Sequence, residues 1–153
     1  MKLCGDIELK LLTDSSETER PVCQLQFQGR PTTVTIKGAV LEACVECEGH
    51  YLLFVTDDIP HEEALYFYLL DADFITLDSA SLGAAYSTGH FRDLSLQPPR
   101  NVLFQFIGGT RWSIEILAHP RWRVPFLGDP KGVMHNPGFR RYFVLRGNPL
   151  PGS

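Results

Sequence analysis

The chain is expected to fold as an all-β domain: an antiparallel sandwich or partly closed barrel of about ten short strands. Three observations lead there. Apolar and polar residues alternate over short runs along most of the 153 residues, which is the period of a half-buried strand and not of a helix. Clusters of turn-forming residues separate the runs: "TDSSE", "QGRP", "EGH", "DAD", "QPPRN", "GG" and "NPG". Eleven Pro and thirteen Gly supply turns throughout, and no repeat or interdomain linker is visible. Residues 1–153 are therefore read as one β-rich domain, large enough to bury roughly 70% of the surface its unfolded chain exposes.

In chain order, strands are expected near residues 6–12, 22–28, 32–36, 40–48, 51–56, 65–70, 74–77, 91–96, 102–107, 112–117 and 142–146. At most one short helix is expected, near Pro60 in "DDIPHEEA". There Asp58 can cap, Pro60 suits the first turn, and Glu62 and Glu63 favour the positive helix end. Two hairpins carry explicit registers. In "NVLFQFIGGTRWSIEIL" a three-residue loop pairs Phe106 with Thr110, Phe104 with Trp112 and Val102 with Ile114, placing the apolar residues on one face. In "EACVECEGHYLLF" a two-residue turn at Gly49-His50 pairs Cys47 with Leu52 and Val45 with Phe54.

That second stretch also holds the most chemistry-like pattern of the chain, Cys44 and Cys47 in a Cys-x-x-Cys with His50 beyond. A metal or redox site needs the two sulfurs to converge. In an extended strand, alternation sends Cys47 to the apolar face and Cys44 to the acidic one, with Cα atoms roughly 10 Å apart. No second Cys-x-x-Cys completes a ligand set, and Cys4 and Cys23 stand alone in the sequence. We expect ordinary strand thiols, no metal and no cofactor.

Other candidates divide between chemistry and structure. "AAYSTGHFRD", with Ser87, Thr88 and His90, partly matches a nucleophile elbow, but Ala85 stands where its first Gly belongs and a strand follows where a helix should. It is expected to be a binding loop without catalytic residues. Asp57, Asp58, His61, Glu62 and Glu63 lack the oxygen spacing of a calcium loop. With Asp71, Asp73 and Asp78 they are expected to form an acidic surface. Near the C-terminus, Arg121, Trp122, Arg123, Arg140 and Arg141 interleave with Phe126, Phe139, Tyr142 and Phe143. Arg and Trp are favoured anchors of protein interfaces. Single-stranded nucleic acid is a weaker candidate, since the chain is acidic overall and no nucleic-acid module is visible.

The net charge of −4 conceals an asymmetry. Residues 1–78 hold 5 basic and 15 acidic residues, net −10, whereas residues 79–153 hold 9 basic and 3 acidic, net +6. The halves either neutralise each other or form separate faces. No apolar run reaches the roughly 18 residues of a membrane span, and "MKLCGDIELKLL" lacks the apolar core of a secretory leader. The expected setting is cytoplasmic, with no membrane association and with reduced thiols.

These features favour a small non-enzymatic, bacterial-type cytosolic domain that binds another protein. A toxin-neutralising immunity protein is one concrete version, steered to its target by charge. The alternative is a small-molecule carrier or sensor whose barrel-like fold encloses an aromatic cavity lined by Tyr66, Phe67, Tyr68, Phe104 and Trp112. An enzyme is the third reading, revived if His90 or His119 meets a carboxylate in a cleft. Oligomeric state is not legible.

Overall fold

The computed structural model describes residues 1–13, 21–57, 64–83, 89–107, 110–122, 133–135, 138 and 140–147. In these, alternation and turn chemistry resolve into strands: β1 (Lys2–Leu3), β2 (Ile7–Thr13), β3 (Val22–Phe27), β4 (Arg30–Lys37), β5 (Val40–Cys47), β6 (His50–Thr56), β7 (Leu65–Leu70), β8 (Thr76–Leu82), β9 (Arg92–Gln97), β10 (Asn101–Gln105), β11 (Arg111–Trp122), β12 (Val133–His135) and β13 (Arg140–Arg146). No helix occurs among the described residues, and the segment expected to hold one near Pro60 lies outside them. The all-β, antiparallel, sandwich-like class is as expected.

The strands form three antiparallel sheets, none closed into a barrel: a six-stranded sheet β1-β5-β6-β7-β8-β12, a four-stranded sheet β13-β11-β10-β9, and a three-stranded sheet β2-β3-β4. The six-stranded sheet is the middle layer, because each of its faces packs against one of the others. Toward the four-stranded sheet it sends Val45, Cys47, Leu52, Phe54, Leu65, Phe67, Leu69, Ala80 and Leu82, which meet Val102, Phe104, Trp112, Ile114, Ile116, Phe143 and Leu145. Toward the three-stranded sheet it sends Cys44, Leu53, Val55 and Leu70, which meet Ile7, Cys23, Leu25 and Ile36. A strand covered on both faces has no polar side to show. That is why "LLFV", Leu52 to Val55, is an unbroken apolar run buried throughout.

The β10–β11 register is the one expected for a three-residue loop, with Phe104 opposite Trp112 and Val102 opposite Ile114. The β5–β6 register differs from expectation by two residues. Cys47 pairs with His50 and Val45 with Leu52, so the turn is Glu48-Gly49. Both turn residues have positive φ, 51° and 80°, the pairing of a type I′ turn, whose twist matches that of the flanking strands. An extra residue at Glu42 then bulges β5 between Leu41 and Ala43.

The strand expected at 74–77 begins later, at Thr76, because Asp71 builds a tight turn first. Its Oδ1 accepts from Asp73 N and Ile75 N at 2.9 and 3.0 Å. Phe74, at φ 63°, is turned out of the strand path into a ring cluster with Phe27 and Tyr51. Strands β1 and β12 were not foreseen, being only two and three residues long. Gly38 marks the crossing from the small sheet into the middle one. Its φ is +125°, and a Cβ there would lie 2.2 Å from Val55 Cγ1, so only glycine lets β4 turn so close beneath β6.

Candidate functional site

Strand β11 outruns the core. Its burial alternates as far as Ile116, and then its last five residues, Ala118 to Trp122, are all exposed. Opposite it, β13 pairs Arg141 with Arg121 and Arg140 with Trp122. The pairing steps from Ile116 to Arg121 on β11 while β13 moves only from Phe143 to Arg141, so the extra residues bulge β11 and bend the ribbon away from the sheet. Four of the five Arg and Trp residues singled out from sequence thus come together, while Arg123 lies outside the described residues. Trp122 is 77% exposed, and the Arg140 guanidinium lies over its ring, 5.3 Å from the centroid, an attractive arrangement for a cation on an indole. Among the described residues neither Arg121 nor Arg140 makes an ion pair. Beside the ribbon is a recess of about 270 Å³ lined by Arg100, Glu115, Leu117, His119 and Arg121.

The acidic candidates do not join this site. Asp57 is buried, 2% exposed, and accepts a hydrogen bond from Tyr66 Oη at 2.9 Å. Asp78 is buried too, so neither belongs to the acidic surface expected of them. Asp58, Glu62 and Glu63 lie outside the described residues, as do Ser87 and Thr88 of the candidate loop; that loop's His90 is exposed, two residues before β9. The charge asymmetry is sorted by layer. The four-stranded sheet and its turns carry Arg92, Arg100, Arg111, Arg121, Arg140, Arg141 and Arg146 against Asp93 and Glu115. Glu42, Glu46, Glu48, Asp71 and Asp73 belong to the middle sheet and its turns. A forked ion pair from Arg100 to Glu48 at 2.7 to 3.1 Å joins opposite charges of the two halves directly.

A second concave feature was not anticipated. Three strands spaced about 4.8 Å apart span roughly 10 Å, and six span roughly 24 Å, so the small sheet leaves part of the middle sheet bare. The bare part is a groove of about 500 Å³ floored by Tyr66, Tyr68, Ser79, Ser81 and Met134 and walled by Thr35 to Lys37 of β4. Tyr68 Oη donates to Lys37 O at 2.8 Å, pinning the wall to the floor. Burial pushes the Tyr68 phenol well above its ordinary range.

Under the floor, facing the main core, sits a buried carboxylate that no sequence motif marks. Asp78 Oδ2 accepts from Tyr142 N and Oδ1 from Ser79 N, each at 2.9 Å. Burial raises its pKa, and the backbone N–H groups of Tyr142, Ser79 and Phe143, with neighbouring His135, pull it back. The clue was available in "TLDSASL": Asp78 shares the inward parity of Ala80 and Leu82. His135, its ring tilted against Phe143 with centroids 5.3 Å apart, gave no such signal because its strand has three residues.

Cys44 and Cys47 leave opposite faces of the middle sheet, as alternation requires. Yet Cys44 is not on a solvated acidic face; it is 3% exposed beneath the three-stranded sheet. Among the described residues no three His, Cys, Asp or Glu side chains are grouped to hold a metal ion, and no helix is long and apolar enough to cross a membrane. The chain matches no family model, no curated protein and no solved structure. Any functional reading therefore rests on the geometry above.

Proposed function

We propose that the chain is a non-enzymatic protein-binding domain that docks an acidic surface of its partner through the β11–β13 ribbon. The observation that carries this is Trp122, held 77% exposed under the Arg140 guanidinium at the end of a ribbon that also sets Arg121 opposite Arg141. At that exposure Trp122 adds little to the fold of the free chain, whereas Trp and Arg dominate binding energy when an interface desolvates them. The exposed guanidinium groups of Arg121 and Arg140 suit an acidic partner surface. The test is affinity capture from the native organism with the wild type and the double variant Trp122→Ala/Arg140→Glu. A protein retained by the first and lost by the second is the expected result. Equal capture by both, or preferential binding of a single-stranded oligonucleotide, would overturn the reading.

A toxin-neutralising domain is a separate protein-binding reading that uses a different surface and the opposite charge, the acidic turns of the middle sheet against a basic enzyme. Its signature is capture that survives Trp122→Ala but fails on reversing exposed Asp73 to Lys. The carrier reading rests on the open groove alone. Phe67, Phe104 and Trp112 are fully buried in the main core and fill space instead of lining it, which leaves Tyr66 and Tyr68 as the aromatic residues a small ligand would meet.

A further inference from the structure

The short first strand changes the standing of two cysteines that are forty positions apart in sequence. The register of β1 on β5, Lys2 opposite Glu46 and Leu3 opposite Val45, continues one step to set Cys4 against Cys44. The Cys4 N–H donates to the Cys44 carbonyl at 2.9 Å. Directly opposed residues of a hydrogen-bonded antiparallel pair have Cα atoms about 5.5 Å apart, inside the range of about 4.4 to 6.8 Å that a disulfide spans. The side chains also share a face: Cys44 is part of the core beneath the three-stranded sheet, and Cys4 packs against that core. Both are free thiols.

We propose that Cys4 and Cys44 form a reversible disulfide that fastens the first strand to the middle sheet. The oxidant is a low-molecular-weight disulfide such as oxidised glutathione. Cys4, half-buried and the more accessible of the two, attacks one sulfur of the oxidant as its thiolate. The oxidant's S–S bond breaks, and the first glutathione leaves as a thiolate that takes up a proton. Cys44 then loses its proton and attacks the Cys4 sulfur, expelling the second glutathione. Two protein thiols are oxidised to one disulfide, and one glutathione disulfide is reduced to two thiols. Burial, with Cys4 and Glu46 close by, pushes the Cys44 thiol up, so Cys44 is a poor nucleophile toward a reagent in solution and attacks the mixed disulfide only because the strand pairing holds it beside the Cys4 sulfur. The other two thiols have separate surroundings. Cys23 is fully buried and donates to Gly38 O at 3.1 Å, and Cys47 points into the opposite core with Pro99 O at 3.4 Å.

The native full-length chain is incubated with oxidised glutathione, alkylated, and read by intact mass and peptide mapping. The expected result is loss of two hydrogens, a Cys4–Cys44 linked peptide, reversal by dithiothreitol, and Cys23 and Cys47 still free. The Cys4→Ser variant changes a half-buried margin position and is expected to fold and to show no such loss. A mixed disulfide that persists on Cys4, a link to Cys23 or Cys47, or an unchanged mass would overturn the proposal.

Discussion

Where the middle sheet meets β9, β10, β11 and β13, rings from both layers interlock: Phe54, Phe67 and Phe104 lie 5.4 to 5.7 Å apart, and Phe67 reaches Phe143 at 6.4 Å. Toward β2 to β4 it presents a smaller patch, mostly aliphatic, with the buried Cys44, and tyrosines line its margin. The first face is closed by four strands and by large side chains at offset or edge-on geometry, each pair adding to ordinary burial. The second is covered by three strands and leaves a groove beside them. One face thus holds the fold together, and the other has surface to spare for rearrangement, redox chemistry or contact.

The sharpest way to break this comparison is to hollow out each face in turn. Phe104→Ala is expected to cost about 3 to 5 kcal/mol, as aromatic truncations in closed cores do. Leu25→Ala beneath the small sheet is expected near the lower end of the Leu→Ala range, about 2 to 3 kcal/mol, because the neighbouring groove lets the site relax. Urea unfolding of both variants checks this; a Leu25→Ala loss equal to that of Phe104→Ala would mean the two faces are closed equally well.

The ribbon belongs to neither face, which separates binding from stability. Trp122→Ala is expected to change unfolding free energy by no more than about 0.5 kcal/mol. It should weaken the partner complex by about 30-fold, the effect of losing roughly 2 kcal/mol at a central aromatic anchor. Titration of the captured partner against both proteins measures the ratio. A large stability loss with unchanged affinity would make Trp122 a packing residue of the ribbon.

Asp78 sharpens the account of the closed face, since it is a carboxylate facing that core and bridging β8 to the backbone of β13. Its folded pKa is raised above the ordinary 3.8. The native state therefore holds this proton more tightly than the unfolded chain does. The resulting stability is full below the unfolded value, declines as pH rises toward the folded value, and is lost above it. Relative to Asp78→Asn, the wild type is expected to lose ground on going from about pH 3 to neutrality. Urea unfolding of both proteins across that range tests the sign; a flat difference would mean that the backbone hydrogen bonds and His135 cancel the effect of burial.

How far the sequence discloses these features depends on which physical signal each one leaves. Alternation reveals strands such as Val22–Phe27 and fixes the β10–β11 register, because a wrong choice there would send Phe104 and Trp112 to different faces. It fails at the β5–β6 hairpin for a specific reason. The Gly49-His50 and Glu48-Gly49 turns differ by two residues in register, so both keep Val45 and Leu52 facing the same core. Only turn chemistry separates them, and Glu48 at φ 51° is an uncommon occupant. The middle layer was written in "YLLFVT" as a run without polar relief, but an unbroken run does not say what covers it. The Arg–Trp ribbon was visible as composition, whereas its exposure depends on how far β11 outruns the core. The Cys4–Cys44 pair left no local signal, since a two-residue strand supplies the register.

The smallest effect concerns the turn that joins two strands of the less closed layer. Gln28 and Gly29 connect β3 to β4 with φ values of 51° and 78°, the same pairing of positive angles seen at Glu48-Gly49. Gln28 is exposed, so its side chain offers little to offset a left-handed backbone, which costs an ordinary L-residue roughly 1 to 2 kcal/mol. Asn tolerates that region far better and is the preferred first residue of a type I′ turn. Gln28→Asn is therefore expected to raise stability by about 0.5 to 1 kcal/mol, read as a higher urea midpoint at unchanged slope. Because β4 is also the wall of the groove, a stiffer β3–β4 turn should slow hydrogen exchange at Thr35 to Lys37 without altering exchange in β10 and β11. Equal slowing in both regions would mean that the layers open as one unit, and the contrast between the two faces would then be one of packing alone.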